Sequence, residues 1–314
     1  MSRRRAWLWW LVGGAGMVLA LRIVFRFPWE ETLGALEGVS WPLLGAALLL
    51  NLLSPFAKGW AWHVLLGRVA PHRFWMAQEA NLIGTAVNSL SVGVSGEAAR
   101  IALIVKQDRV PVRAAALSVV GTRAVEALGL ALFVVLAPFA LELPAGLRGL
   151  QLGGAVALAT ALLLMRFRGW MGLVRRLPRP VRAAASELAE MGWGTRLVGP
   201  TLLALASWVT EWYVFHLALL ATHLPVSYAA SFTALIAANL GGVLRVTPAN
   251  VGVMQAAIVG ALLPFGIAAE DAVAGGVALQ AIEVLPILAL ALIAVGRSGL
   301  QRLMAESAEL QKAA

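Results

Sequence analysis

Four ionisable side chains stand inside apolar sequence. Glu97 and Arg100 lie within "VNSLSVGVSGEAARIALIV" (Val87–Val105), and Arg123 and Glu126 within "TRAVEAL". Hydrocarbon solvates none of them, and each costs about 2.5–3.5 kcal/mol at the centre of a membrane helix. Two chemistries suit the set. The acids and arginines can pair with one another and hold neighbouring helices together. Alternatively, Arg100 and Arg123 present guanidinium forks to an anion, and phosphate matches their bidentate geometry. Glu97 and Glu126 then hold the arginines in place.

Other polar residues extend these candidates. Arg245 is a third donor beside "RVTPANVG", or an interfacial side chain that snorkels. Thr247-Pro248 and Ser95-Gly96 break helices and turn amide dipoles toward an anion, or else form tight turns without a ligand. Asn88 and Asn239 suit hydrogen bonds between helices as well as contact with a substrate. Lys58, Glu79 and Glu211 line a cavity or sit near an interface. "GVSG" (Gly93–Gly96) is similar to the nucleophile motif of intramembrane rhomboid proteases, with His216 the available base. His216 lacks the small-residue spacing around a rhomboid histidine, so no catalytic residue is assigned and the chain is not read as an enzyme.

These residues need elements that place them at depth. Of 314 residues, 60% are hydrophobic and 13% charged, about half the charge of a soluble domain. The chain is therefore an all-α, polytopic membrane protein. Its net charge of +9 marks cytoplasmic loops, not nucleic-acid binding. Cysteine is absent and the four histidines form no ligand-spaced cluster, so no metal or cofactor is expected. No phosphate-binding loop for ATP appears.

Spans of about 20 residues are expected at Ala6–Phe25, Trp41–Leu66, Ala114–Ala140, Leu150–Met165, Leu197–Leu220 and Ala272–Gly296. The basic start of the first resembles a signal peptide, yet no small-residue cleavage site follows, so it is read as retained. Met76–Val105 and Ser227–Phe265 are interrupted by Gly, Ser, Thr or Pro. Broken backbone at depth survives only where protein buries it or water reaches it. The loop Arg166–Arg196 carries seven Arg against two Glu, which places it in the cytoplasm. Arg3, Arg4 and Arg5 place the N-terminus there too. All basic loops agree if Met76–Val105 enters and leaves from the cytoplasm and Ser227–Phe265 from outside. The result is six spans plus two re-entrant hairpins, with both termini inside.

The halves repeat at an offset near 157. "RAVEAL" faces "QAIEVL", so Arg123 meets Gln280 and Glu126 meets Glu283; "ANLIG" faces "ANLGG". The second copy is inverted, a transporter design with its site near the midplane. The organisation expected is an N-terminal span and outer loop over 1–40 and a first repeat over 41–165 with hairpin 76–105. A basic loop 166–196, a second repeat 197–296 with hairpin 227–265, and a tail 297–314 follow.

From Trp41 to Gly296 the chain resembles the flippase-like membrane domain of the lysylphosphatidylglycerol synthase family, which includes stand-alone, hopanoid-biosynthesis-associated members. The resemblance rests on Asn88, Gly96-Glu97 with Arg100, and Arg123, then on "TPANVGVMQ". There Thr247, Pro248 and Gly252 match. Ala249 and Asn250 stand for glycines, Gln255 for a glutamate, and Gln280 for a later arginine. Both charges have gone together, as a pair would. The resemblance implies translocation of a lipid with an anionic headgroup across the bacterial inner membrane, or support of a lipid-synthesis enzyme as a scaffold. It implies substrate contacts at Arg100, Arg123, Glu97, Glu126, Arg245, Asn88, Thr247, Asn250 and Glu283. The aminoacyl-transferring chemistry of the full-length synthases is not implied.

Overall fold

The computed structural model describes residues 38–90, 95–142, 195–244 and 250–313, with single positions at 149, 153 and 247. Every regular element among them is helical. The helices are α1 Trp41–Leu66, α2 Phe74–Leu90, α3 Ser95–Asp108, α4 Val112–Leu136, α5 Thr195–Ala221, α6 Tyr228–Leu244, α7 Val253–Leu262 and α8 Ala269–Ala313. Four stretches are long and apolar enough to cross a membrane: Trp41–Leu66, Val112–Leu136, Leu197–Ala221 and Ala269–Gly296. They fall on four of the expected spans. The protein is an all-α polytopic membrane protein. Ala6–Phe25, the basic loop Arg166–Arg196 up to Gly194, and Leu150–Met165 apart from Gly153 lie outside the described residues. α8 runs on through Gly296 to Ala313, so the tail expected from 297 continues the last helix.

α1 and α4–α8 carry exposed apolar side chains: Leu49 and Leu53 on α1, Leu202 on α5 and Leu292 on α8 are more than half exposed. Lipid tails solvate such side chains as well as protein does. Trp41 and Trp75, at or next to the first residues of α1 and α2, are 74% and 72% exposed, as interfacial anchors are. Trp62 and Trp208 are buried instead.

The chain forms two compact units. The first draws on Leu50–Val87, Gly96–Glu211 and Pro286–Ala314, the second on Met1–Leu49, Asn88–Ser95 and Trp212–Leu285. In the first unit, Trp62 and Leu66 of α1, Ala77 and Ala80 of α2, Ile104 of α3 and Ala115 and Val119 of α4 share one core. α2 and α3 double back on each other. At the open end Asp108 accepts from the Arg73 backbone N–H at 2.7 Å and from Arg73 Nε at 2.8 Å. At the closed end, a Cβ on Gly84 would overlap the Arg100 side chain and the Gly96 carbonyl. Seventeen residues of α2 rise about 25 Å, less than the roughly 30 Å of a bilayer core. Elsewhere in this unit small residues set the spacing. A Cβ on Gly129 of α4 would sit 2.8 Å from Ala204 Cβ of α5. Gly59 lets Asn81 of α2 reach α1, where its Nδ2 donates to the Pro55 carbonyl at 2.8 Å.

In the second unit α6 and α7 form the corresponding hairpin. A Cβ on Gly241 would lie 3.3 Å from both Val253 and Ala257. The connection uses left-handed backbone at Asn250 (φ 55°) and Gly252 (φ 83°). Asparagine tolerates that region better than most side chains, so Asn250 can stand where the resemblance leads one to expect glycine. α8 packs on α5 and α7 through Gly275 and Gly276, beside Leu219 and Ile258 respectively.

Candidate functional site

Arg123 is the twelfth of 25 residues in α4, near the middle of a stretch long and apolar enough to cross a membrane. Its Nη2 pairs with Glu97 Oε1 in the first turn of α3, and its Nη1 with Glu126 Oε2 at 2.7 Å, one turn further along α4. The pairing expected of these residues is therefore present. The two acid side chains are 14% and 12% exposed, but that of Arg123 is 46% exposed. Hydrocarbon does not solvate an open guanidinium at this depth, so water or an anion must face it.

Arg100 is built differently. It is 4% exposed, and its guanidinium carbon lies 4.2 Å from the ring centre of Trp62. Trp62 is itself fully buried and fixed by a 2.9 Å hydrogen bond from Nε1 to Ser118 Oγ. The missing side chain at Gly84 leaves room for Arg100 to lie along α2. Its Nε and Nη2 are buried and have no hydrogen-bond partner among the described residues. Glu97 and Glu126 are within electrostatic reach. Each unsatisfied buried donor costs about 1–3 kcal/mol. A rigidly held arginine with donors to spare can donate to an anionic acceptor.

A second charged group in the same unit joins α1 to α5. Glu211 Oε1 pairs with Lys58 Nζ and accepts from Ser54 Oγ at 2.7 Å, and Ser54 in turn bonds Ser207 at 2.8 Å. Lys58 Nζ stands 5.3 Å from the Trp208 ring centre, and Trp208 Nε1 donates to the Glu126 carbonyl at 3.0 Å. Lys58 and Glu211 were cavity candidates in the sequence; Ser54, Ser207, Trp62 and Trp208 were not. One signal was available: Ser54–Lys58 and Ser207–Glu211 share a four-residue spacing that puts each pair on one helical face.

In the second unit the corresponding positions hold a neutral copy of the Arg123 pair. Gln255 Nε2 donates to Gln280 Oε1 at 2.5 Å, and Gln255 Oε1 accepts the Gly252 N–H at 2.7 Å. The repeat thus keeps its contact between the second helix of the hairpin and the following span, without charge. This predicts non-additive behaviour. Gln280→Arg alone strands a cation against an amide and should lower thermal stability. Gln255→Glu together with Gln280→Arg should recover most of that loss, because the introduced carboxylate could still accept from the Gly252 N–H. The measurement is a double-mutant cycle on melting temperature; simple additivity would show that the two side chains do not act as a pair.

The remaining candidates are dispersed. Thr247 is buried and its hydroxyl donates to the Val251 carbonyl at 2.9 Å, and Asn250 N–H donates to the Thr247 carbonyl at 3.1 Å, so both brace the turn. Asn88 lies near the end of α2 and Glu283 one turn beyond Gln280 on α8. Among the described residues Asn239 donates to the Leu235 carbonyl one turn back in its own helix at 3.0 Å, not to a neighbouring helix. Arg245, Pro248 and Ala249 lie outside the described residues, as do Gly93 and Val94 of the Gly-x-Ser-Gly motif. His216 is stacked on Tyr228, with centroids 4.1 Å apart, and its Nδ1 is 3.1 Å from Ser231 Oγ.

A search of curated proteins found no match to the chain. Its residues 8–291 match the family described as the lysylphosphatidylglycerol synthase TM region. With the helical architecture and the paired acids and arginines at hairpin and span, that match over most of the sequence places the chain in the lysylphosphatidylglycerol synthase transmembrane-region family.

Proposed function

We propose that this protein translocates a lipid bearing a phosphate, of phospholipid or polyprenyl type, across the bacterial inner membrane. Arg100 and Arg123 receive the phosphate while the tails stay in lipid. The observation that carries the reading is Arg100, a 4% exposed guanidinium with two unused donors on a fixed aromatic ring. The open guanidinium of Arg123, near the middle of the span that follows the hairpin, supports the same reading. Lateral access for a lipid suits charged donors at this depth, because the headgroup alone needs a polar path. With the cell interior negative, outward movement of an anionic headgroup gains about 2.3 kcal/mol per charge per 100 mV. In this reading α2–α3 is re-entrant from the cytoplasm, α6–α7 from outside, and both termini are cytoplasmic.

Reconstitution tests the function. Vesicles containing the purified protein and a panel of labelled lipids should show protein-dependent exchange between leaflets for phosphate-bearing lipids and not for a neutral diacylglycerol. Lack of any exchange, with a lipid-synthesis enzyme co-purifying, would instead favour a scaffold.

The orientation has its own test, made simple by a chain without cysteine. Single cysteines at 106–113 should react with an impermeant thiol reagent only from the cytoplasmic side, and cysteines at 266–270 only from outside. Labelling of 106–113 from outside would overturn the first re-entrant assignment.

A further inference from the structure

Arg100 poses a problem that Arg123 does not. Glu97 and Glu126 lie within its electrostatic reach. Glu97 stands three residues before it on α3, a spacing at which opposite charges on one helix meet. A buried guanidinium gains a strong, charge-assisted bond by turning onto such an acid. Yet Arg100 Nε and Nη2 are buried and have no hydrogen-bond partner among the described residues. These two are the donors along one edge of the guanidinium, and they point the same way. With such an edge arginine grips two oxygens of one carboxylate or phosphate. The unused donors are therefore one complete fork, not two scattered N–H groups.

The side chain is held at both ends. Its stem passes Gly84 of α2 so closely that a Cβ there would overlap it. Its head lies over the Trp62 ring of α1, 4.2 Å from the centre. That ring is fixed in turn from α4. Ser118 donates its hydroxyl proton to the Ala115 carbonyl at 2.8 Å, which leaves its oxygen to accept the indole N–H at 2.9 Å. Trp62 and Ser118 are both fully buried, and Trp62 belongs to the core shared by α1, α2, α3 and α4. A ring packed at that density and bonded at its edge does not turn freely. The chain of restraint thus runs from Ser118 through Trp62 to Arg100.

We propose that Trp62, fixed by Ser118, is a positioning residue that holds the Nε–Nη2 edge of Arg100 open for two unesterified oxygens of one phosphate. The inference rests on the phosphate reading above. It adds a residue that does not touch the headgroup and acts only through Arg100. Without the ring face, Arg100 is free to close on the acid three residues before it, and its fork is no longer open to a ligand.

Calorimetric titration of the purified protein with dioctanoyl phosphatidylglycerol, beside its melting temperature, tests this. Two substitutions separate aiming from packing. Trp62→Phe keeps a ring face beside the guanidinium, whereas Trp62→Met refills the space without one. Both lose the bond to Ser118, so both should melt at a lower temperature. Trp62→Phe should bind the probe within about threefold of the wild type, and Trp62→Met about tenfold or more weaker. Equal affinities in the two variants, whether kept or lost, would make Trp62 a packing residue and overturn the proposal. If Trp62→Met does not fold, Ser118→Ala decides, because it leaves the ring in place without its bond. Weaker binding then supports positioning, and binding as in the wild type overturns it. Undiminished binding by Arg100→Met would remove Arg100 from the headgroup, and the role of Trp62 with it. No binding by the wild type would remove the phosphate reading itself.

Discussion

Arg123→Gln is expected to abolish lipid exchange and to lower stability at the same time. Its guanidinium holds two carboxylates, Glu97 and Glu126, whose side chains are only 14% and 12% exposed. Glutamine has one amide donor group where arginine has a charged fork, and it brings no compensating charge. Breaking a fully buried pair from one side costs about 3–5 kcal/mol, mainly through the partner left behind, and the half-open Arg123 makes the cost smaller here. The functional part can be separated from the structural part. Arg123→Gln combined with Glu97→Gln copies the Gln255–Gln280 contact that the second repeat already uses. That double variant should recover much of the stability and still fail to move phosphate-bearing lipids. Normal exchange by either variant in vesicles would show that the headgroup does not depend on Arg123.

Arg100→Met is expected to act in the opposite sense on stability and in the same sense on function. Two buried donors without partners burden the folded state by about 1–3 kcal/mol each. Methionine fills a similar slot between Gly84 and Trp62 and has no donor to satisfy. The lost attraction to Glu97 and Glu126 is the opposing term, and no hydrogen bond of Arg100 Nε or Nη2 is lost with it. The variant should therefore be at least as stable as the wild type, while phosphate-bearing lipids no longer bind. Such trade-offs are common where a site is kept for function at the expense of stability. A fall in melting temperature with binding intact would make Arg100 a structural partner of the acids, and the proposed function would lose its main support.

The apolar runs and the helix breakers were legible because each is a local property. Twenty apolar residues satisfy a bilayer whatever lies beside them, and α1 begins and ends where the sequence placed it. Gln255 with Gln280 was legible through a different signal, the family resemblance, in which both stand for charged residues, and Arg123 through its repeat alignment with Gln280. Charge lost at both members of an aligned pair implies that they touch, and they do in each half. The breaks at "NSLSVGVSG" and "RVTPANVG" were equally plain, since Gly, Pro and Ser weaken helices locally.

What remained hidden depends on which faces meet. Arg100 and Arg123 look alike in sequence, three residues and twenty-six residues from the same Glu97. Only the tertiary structure makes one a paired, open cation and the other a buried one stacked on Trp62. Trp62 and Trp208 share their residue type with the exposed Trp41 and Trp75, and helical periodicity in a nearly uniform apolar stretch does not say which side faces protein. The Lys58–Glu211 pair joins residues 153 apart, so no local pattern announces it. Its partners are chosen by the packing of α1 on α5 in the first unit, because in lipid it is close fit and hydrogen bonding, not apolarity, that decides which helix faces meet.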